Sequence, residues 1–481
     1  MQNRSRLVLS NTFNTRDLGG YVSHDFKYMT KYGIYYRSDR LDRLNKKDIE
    51  KLKEQNITTV IDLRSFYEVN KSPDTEILNS EIDYIHYPFM DELGFEKALK
   101  QEYEQTEILY QNLIDRLDRV GYLIEVLAEK DGAVLFHCTG GQDRTGVLAM
   151  LLLMIANVSK EDIIANYCVT STYLIEDEDL FANIDFKVDK NTFVTDPHNI
   201  ESAYDYICDR YKGIDQYLSA CGVEKKTIET IRNKFLTEFD ATNDCVRIPL
   251  YHANNVRDLG GYTNQDDKVA RYHRYVRADD MSALNQEELN VLYKYGVRNI
   301  LDLRFKMETE TNPDAFLKDE RFHYVNIPLG SEYNAVTGDV TKITENIEVR
   351  DFLPKFYCSL ALDMNTMKKI LEVISEFKGG VLFHCSAGKD RTGVLSMIIY
   401  LLAKVRLADI KANYQVSYEY LKDKIKVEDK MEGMEVLLHS DARNIEIVYN
   451  AIIEKYKTVD KYIEALQLSG EQLNNILAGF I

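Results

Sequence analysis

The chain has 481 residues, with 60 Lys and Arg against 78 Asp and Glu, a formal net charge of −18 and a pI near 5.1. Hydrophobic residues at 45% and charged residues at 29% suit a chain that buries real cores, which excludes collagen-like and disordered classes; the length asks for roughly two to four domains. So acidic a body repels nucleic acid and anionic membranes, so neither is an expected partner, although a local basic pocket is compatible with it.

No run reaches the ~18 apolar residues of a membrane-spanning helix. The longest, Val147 to Ala156, has ten residues and suits a buried helix. The start, MQNRSRLVLSNTFNTRDLGG, has basic residues but no long apolar stretch or small-residue cleavage site, so no signal peptide is expected. Seven cysteines, odd in number and widely spaced, point to reduced thiols in a cytoplasmic compartment rather than a disulfide framework.

Self-comparison shows a chain written twice. Asn14-x-Arg16-Asp17-Leu18-Gly19-Gly20-Tyr21 returns as Asn255-x-Arg257-Asp258-Leu259-Gly260-Gly261-Tyr262, and Ile61-Asp62-Leu63-Arg64 as Leu301-Asp302-Leu303-Arg304. LFHCTGGQDRTGVLAM (Leu135 to Met150) returns as LFHCSAGKDRTGVLSM (Leu382 to Met397), identical at 12 of 16 positions, and Asn199–Leu236 aligns without gaps on Asn444–Ile481. The offsets run 241, 240, 247 and 245, too long for a solenoid repeat. Two tandem domains are expected, 1–240 and 246–481, joined by the polar stretch Glu238 to Cys245.

In chain order, Lys31 to Arg37 (Arg271 to Arg277 in the second copy) reads as a strand, and Thr58 to Leu63 and Ala133 to His137 as short buried strands. Between the last two, Glu92 to Lys130 looks mostly helical, either a cover over a site or an ordinary crossover. A Gly-rich loop follows His137, then a buried helix over Thr145 to Asn157, and one or two amphipathic helices over Asn199 to Leu236. Strands alternating with helices imply an α/β fold: two tandem domains, each a central mixed sheet flanked by helices with a Cys-x5-Arg loop between strand and helix.

That loop is His-Cys-x-x-Gly-x-Asp-Arg-Thr-Gly, at His137 to Gly146 and His384 to Gly393. A Gly-rich turn into a helix N-terminus converges backbone N–H groups on one point, the helix dipole adds positive potential there, and Arg144 or Arg391 supplies a two-pronged donor for two phosphate oxygens. The same field favours a thiolate at Cys138 or Cys385, a phosphoryl-transfer nucleophile that would pass through a phosphocysteine. Around it Thr139, Gly140, Gly141 and Gln142, and Ser386, Ala387, Gly388 and Lys389, would cradle the phosphate. Thr145 and Thr392 offer a hydroxyl to the sulfur, and His137 and His384 could orient the loop. Cys-x5-Arg alone is weak: 7 cysteines and 24 arginines give roughly 0.35 chance occurrences. The ten-residue form, twice, between strand and helix, is specific; a buried structural cysteine beside a loop-capping arginine is the competing reading.

His-Cys-x-x-Gly-Lys-Asp-Arg-Thr-Gly resembles the signature of the cysteine-dependent tyrosine phosphatases. The Asn-x-Arg-Asp-Leu-Gly-Gly-Tyr opening and the Asp-Leu-Arg strand end resemble the bacterial branch of tyrosine and dual-specificity phosphatases also active on phosphoinositides. The resemblance implies a metal-free phosphomonoesterase without cofactor, acting on phosphorylated proteins or peptides, or on phosphoinositides or inositol phosphates. It also implies Cys385 with Arg391 and Cys138 with Arg144 as the catalytic pairs. By the same resemblance Lys389 suits multiply phosphorylated headgroups, whereas Gln142 lacks the charge and makes the first copy the weaker candidate.

A general acid must protonate the leaving oxygen. With no Trp in the chain, the Trp-Pro-Asp loop of larger relatives is absent. Tyr87-Pro88-Phe89-Met90-Asp91 offers Asp91 in the first copy, but Ile327-Pro328-Leu329-Gly330-Ser331 has no carboxylate in the second. Both copies share the loop carboxylate, Asp143 and Asp390, which the resemblance favours; an Asp salt-bridged to hold the loop is the alternative. Arg16 with Asp17, and Arg257 with Asp258, read as structural ion pairs, and Arg64 and Arg304 as internal salt bridges. His198 and Arg443 read as solvated helix starts. The 33 tyrosines are spread throughout and mark no site, and no His/Asp cluster has metal-ligand spacing.

Overall fold

Ile57–Asp62 and Ala133–His137 are short runs whose side chains are almost all buried, the pattern of parallel strands covered by helices on both faces. The structure, a computed structural model, describes residues 4–90, 106–179, 195–330, 349–422 and 439–481. It divides into two units, Met1–Phe239 and Asp240–Ile481.

In the first unit the strands are β1 (Arg16–Asp17), β2 (Tyr28–Thr30), β3 (Tyr35–Ser38), β4 (Ile57–Asp62), β5 (Asp83–His86), β6 (Ala133–His137) and β7 (Leu236–Glu238). The main sheet has the order β1-β3-β6-β4-β5, with β1 antiparallel and the rest parallel; β2 and β7 form a separate antiparallel pair. The second unit repeats the sheet with β8 (Arg257–Asp258), β9 (Tyr275–Ala278), β10 (Val297–Asp302), β11 (His323–Asn326) and β12 (Gly380–His384), ordered β8-β9-β12-β10-β11. Each is the mixed sheet flanked by helices expected from the alternation. The strand expected over Lys31 to Arg37 begins only at Tyr35, because the Gly33 N–H turns aside to donate to Asp17 at 2.7 Å.

The central strand, β6 or β12, feeds the cysteine loop and then a helix, Asp143–Ile155 or Asp390–Leu402. From Thr145 and from Thr392 onward every residue of that helix is buried, so its apolar run serves as a core axis rather than one face of a surface helix. Cys385 belongs to the same buried cluster as Tyr275, Phe383 and Val394.

Three helices, Pro197–Tyr211, Ile214–Ala220 and Lys225–Phe235, occupy the stretch expected to hold one or two. Lys212 closes the first in the left-handed region at φ 67°, and a turn at Cys221-Gly222 ends the second. Glu92 to Lys130 contains the helices Thr106–Ile114 and Leu117–Glu129. Within the polar stretch from Glu238 to Cys245, Glu238 pairs with Tyr28 and Cys245 is fully buried. Among the described residues no helix is long and apolar enough to cross a membrane.

Candidate active site

Cys138 and Cys385 each follow the last residue of the central strand and are 2% and 1% exposed. The loop closes through Gly141 and Gly388, at φ 65° and 63°. A Cβ there would lie 2.4 Å from the carbonyl oxygen of Ser38 or Ala278, so only glycine fits. The loop carbonyls are drawn outward: Asn14 Nδ2 donates to Gly140 O at 3.1 Å, Arg37 to Gly141 O at 2.6 Å and the Arg40 N–H to Thr139 O at 3.0 Å. Asn255 to Ala387 O at 2.9 Å, Arg277 to Gly388 O at 2.7 Å and Asp280 N–H to Ser386 O at 3.1 Å repeat the pattern. In a trans peptide the N–H points away from its C=O, so outward carbonyls turn amides toward the loop's centre, where an anion would sit.

Arg144 and Arg391 are held by a carboxylate that sequence reasoning missed. Glu68 accepts from the two terminal nitrogens of Arg144 at 2.6 and 2.8 Å and from Thr139 Oγ1; Glu308 does the same for Arg391 at 2.6 and 2.8 Å and for Ser386 Oγ. Each glutamate also accepts the N–H of Ser65 or Phe305 at its own helix start, both at 2.8 Å. Burial opposes ionisation of Glu68, but the Arg144 charge and these hydrogen bonds outweigh it and hold the carboxyl at about 2; Glu308 is likewise held at about 2 against burial, by its hydrogen bond with Arg391 and that group's charge. The signal available was Glu68 and Glu308 aligning at the offset of the Asp-Leu-Arg motif.

His137 and His384 are fully buried and face the cysteine's carbonyl oxygen rather than its thiol, at 3.3 and 3.4 Å. Their other ring nitrogens meet Asp74 at 3.0 Å and Asp314 at 2.9 Å. Burial alone would lower both histidines; in His137 the charges of Asp62 and Asp74, and in His384 the hydrogen bond and charge of Asp314, more than offset it and raise them. Thus Asp62, Asp74 and His137, and Asp302, Asp314 and His384, form compact buried clusters that local spacing did not reveal. Arg64 Nη2 already lies 2.7 Å from Asp62 and 2.8 Å from Asp74, and Arg304 takes the same place at 2.8 and 3.2 Å, so a metal ion would have to displace a guanidinium. Arg64 and Arg304 are the internal salt bridges expected of them.

Asp143 and Asp390 open the helix after each loop. Asp143 Oδ1 accepts from the Tyr110 hydroxyl at 2.5 Å, and Asp390 Oδ1 accepts from Tyr357. Tyr110 in turn meets Tyr167, and Tyr357 meets Tyr414 at 2.8 Å. Four tyrosines therefore do sit at the sites, contrary to the sequence expectation; they are buried behind the loops, where composition gives no clue. Lys389 is buried with Nζ 3.3 Å from Asp390 Oδ1, whereas Gln142 hydrogen-bonds Tyr167. Thr145 Oγ1 and Thr392 Oγ1 are buried without a hydrogen-bond partner among the described residues, the same orphan hydroxyl in both copies. Asp91 lies outside the described residues.

Arg16 and Asp17 do not pair. Arg16 reaches Asn14, the carbonyl of Asn166 at 2.9 Å and Thr170, while Asp17 accepts the Gly19 and Gly33 amides. Arg257 and Asp258 part in the same way, toward Asn255 and Asn413 and toward Gly260 and His273. Beneath the loops Arg37 and Arg277 are fully buried, each 2.8 Å from the amide oxygen of Asn166 or Asn413. Burial first and the neighbouring Arg16 or Arg257 second lower them to about 9, which leaves them cationic at neutral pH. His198 is exposed and meets Glu107 at 2.9 Å; Arg443 folds back on Asp441.

The chain is similar to a tyrosine-protein phosphatase of Nostoc commune, 33% identical over 159 residues, 32% of this chain and 52% of that protein. That match spans about half of the relative. A second relative, provisionally named a tyrosine-protein phosphatase in Cupriavidus necator, is 28% identical over 256 residues, 47% of this chain and 86% of that protein. The model of the tyrosine phosphatase family matches twice, over residues 7–237 and 248–481, and the chain belongs to that family as a tandem pair.

Proposed function

We propose that each copy is a metal-independent phosphomonoester hydrolase site of the protein-tyrosine or dual-specificity type, working through a phosphocysteine. One observation carries this reading: in both copies the cysteine, the arginine with its glutamate clamp, and the aspartate with its tyrosine surround one amide-lined loop.

The thiolate of Cys138 or Cys385 attacks phosphorus, forming the S–P bond as the P–O bond to the leaving group breaks. Asp143 or Asp390 delivers its proton to the departing oxygen. The charge spread over the equatorial oxygens is met by the loop amides and the outer hydrogens of Arg144 or Arg391. Water then attacks phosphorus, passing its proton to the aspartate carboxylate, and the S–P bond breaks to restore the thiolate. Thr145 or Thr392 has an unspent buried hydroxyl with which to stabilise the departing sulfur, and a buried donor without a partner is otherwise costly.

A second reading, turnover of inositol phosphate or phosphoinositide headgroups, is favoured at the second copy by Lys389 and Lys306, which stand where the first has Gln142 and Phe66. In the first copy Gln142 also supports a phosphate-binding role with little turnover.

The test is phosphate release in EDTA from an aryl phosphate, a phosphotyrosyl peptide and an inositol polyphosphate, with Cys138→Ser, Cys385→Ser and both together. The double variant is expected to lose turnover on every substrate, with headgroup turnover lost in Cys385→Ser. Activity persisting in the double variant would overturn the reading.

A further inference from the structure

The tyrosine pairs behind the loop carboxylates are the feature of the site that the chemistry above leaves unused. Tyr357 lies on the helix Val349–Leu362 and Tyr414 on the helix Leu407–Gln415, and both are essentially inaccessible to solvent. A phenol has a single proton. Tyr357 gives its proton to Asp390, so at the Tyr414 contact of 2.8 Å it must accept. Tyr414 then donates to Tyr357 and itself accepts from Asn444 Nδ2 at 3.5 Å. The chain Asn444, Tyr414, Tyr357, Asp390 therefore has every donor aimed at the carboxylate, and such chains strengthen one another in a dry interior. Tyr110 and Tyr167 repeat it toward Asp143, with Asn199 beside Tyr167.

Burial, and then the Asp390 charge, push Tyr357 well above the ordinary phenol range, so it stays a neutral donor at any working pH. Phenylalanine would fill the same space, and an all-apolar pair is no worse than paired hydroxyls for stability alone. What the hydroxyl adds is a fixed carboxylate. With Tyr357 and Lys389 both on Oδ1, Oδ2 is the oxygen left to carry the proton.

We propose that Tyr357, backed by Tyr414, and Tyr110, backed by Tyr167, are positioning residues that orient the loop aspartate for proton transfer to the leaving oxygen. The inference rests on the reading of Asp390 and Asp143 as general acids. In the first copy no cation stands at the position of Lys389, so Asp143 depends more heavily on Tyr110.

The test uses the full chain with one site silenced: Cys138→Ser for reading Tyr357→Phe, Cys385→Ser for reading Tyr110→Phe. Proton donation matters for a poor leaving group and little for a good one, and kcat/KM reports the step that breaks the P–O bond rather than the later hydrolysis of the phosphocysteine, so kcat/KM is compared on phenyl phosphate and 2,4-dinitrophenyl phosphate. Tyr357→Phe is expected to lower kcat/KM about tenfold on the first and less than about twofold on the second, with a larger loss in Tyr110→Phe. Asp390→Asn with Tyr357→Phe together should lose no more than Asp390→Asn alone, because the tyrosine acts through the aspartate. Equal losses on both substrates, or additive losses in the double variant, would overturn the proposal. If Asp390→Asn itself is indifferent to the leaving group, the acid assignment fails and the positioning role falls with it. Should Tyr357→Phe not fold, Tyr414→Phe removes only the outer donor and should show a smaller loss of the same kind.

Discussion

Replacing Glu68 with Gln keeps the shape of the arginine clamp and removes its charge. In the folded protein the Glu68 carboxyl is held at about 2 against an ordinary 4.5. At about 1.4 kcal/mol for each tenfold change in proton affinity, that is about 3 kcal/mol of stability at neutral pH, a ceiling lowered only slightly because the side chain is 13% exposed. Charge-assisted hydrogen bonds contribute about 1.5–3 kcal/mol, so Glu68→Gln should cost about 2–3 kcal/mol. For a unit of this size that is about 4–12 °C in Tm. The sign with pH is fixed: a carboxyl held low in the folded state stabilises it above its ordinary range and stops doing so as pH falls toward 2. The difference between wild type and variant should shrink by about 1.4 kcal/mol between neutral pH and about pH 3.5. Differential scanning calorimetry of the full chain is the assay, and only the transition of the first unit should move. Glu308→Gln should move the other transition by less, since the Glu308 side chain is 26% exposed. No shift at pH 7, or one that does not shrink on acidification, would refute the clamp as a stabilising contact.

Two further outcomes follow from the geometry. Gly388→Ala places a Cβ 2.4 Å from the Ala278 carbonyl oxygen at φ 63°, so the loop must move; in the Cys138→Ser background, aryl phosphate turnover should fall at least about a hundredfold, as expected when an oxyanion cradle is displaced. Retained turnover would show that the loop tolerates another closure. Asp314→Ala strips a buried carboxylate from Arg304 and His384; leaving buried charge uncompensated should destabilise the second unit by about 3–5 kcal/mol, read in its calorimetric transition. A change below about 1 kcal/mol would mean that His384 and Arg304 are served by Asp302 alone.

The duplication, the central strand Ala133–His137 and the cysteine loops were legible because each is local. A short run buried at every position, followed within a few residues by Cys, Gly, Asp and Arg, specifies strand, turn and helix with no help from distant parts of the chain. The misreadings have one cause. Arg16 looked like the partner of Asp17 because they are adjacent, yet neighbours on a strand point to opposite faces, and each found its partners elsewhere. The tyrosines looked like background because nothing in the spacing of Tyr110, Tyr167 and Asp143 brings them together.

The sequence by itself therefore determined the two copies, the cysteine loops and the family. Tertiary structure alone decided which side chains serve those loops. Strand order is the reason: β6 lies between β3 and β4, and β12 between β9 and β10, all parallel. Their carboxyl ends therefore share one edge of the sheet. The chain leaves β4 through Arg64 to Glu68 and β3 through Ser38 to Arg40, and both exits meet the loop that leaves β6. A glutamate 76 positions away and an arginine 104 positions from the glycine it braces become neighbours only once the crossovers have packed.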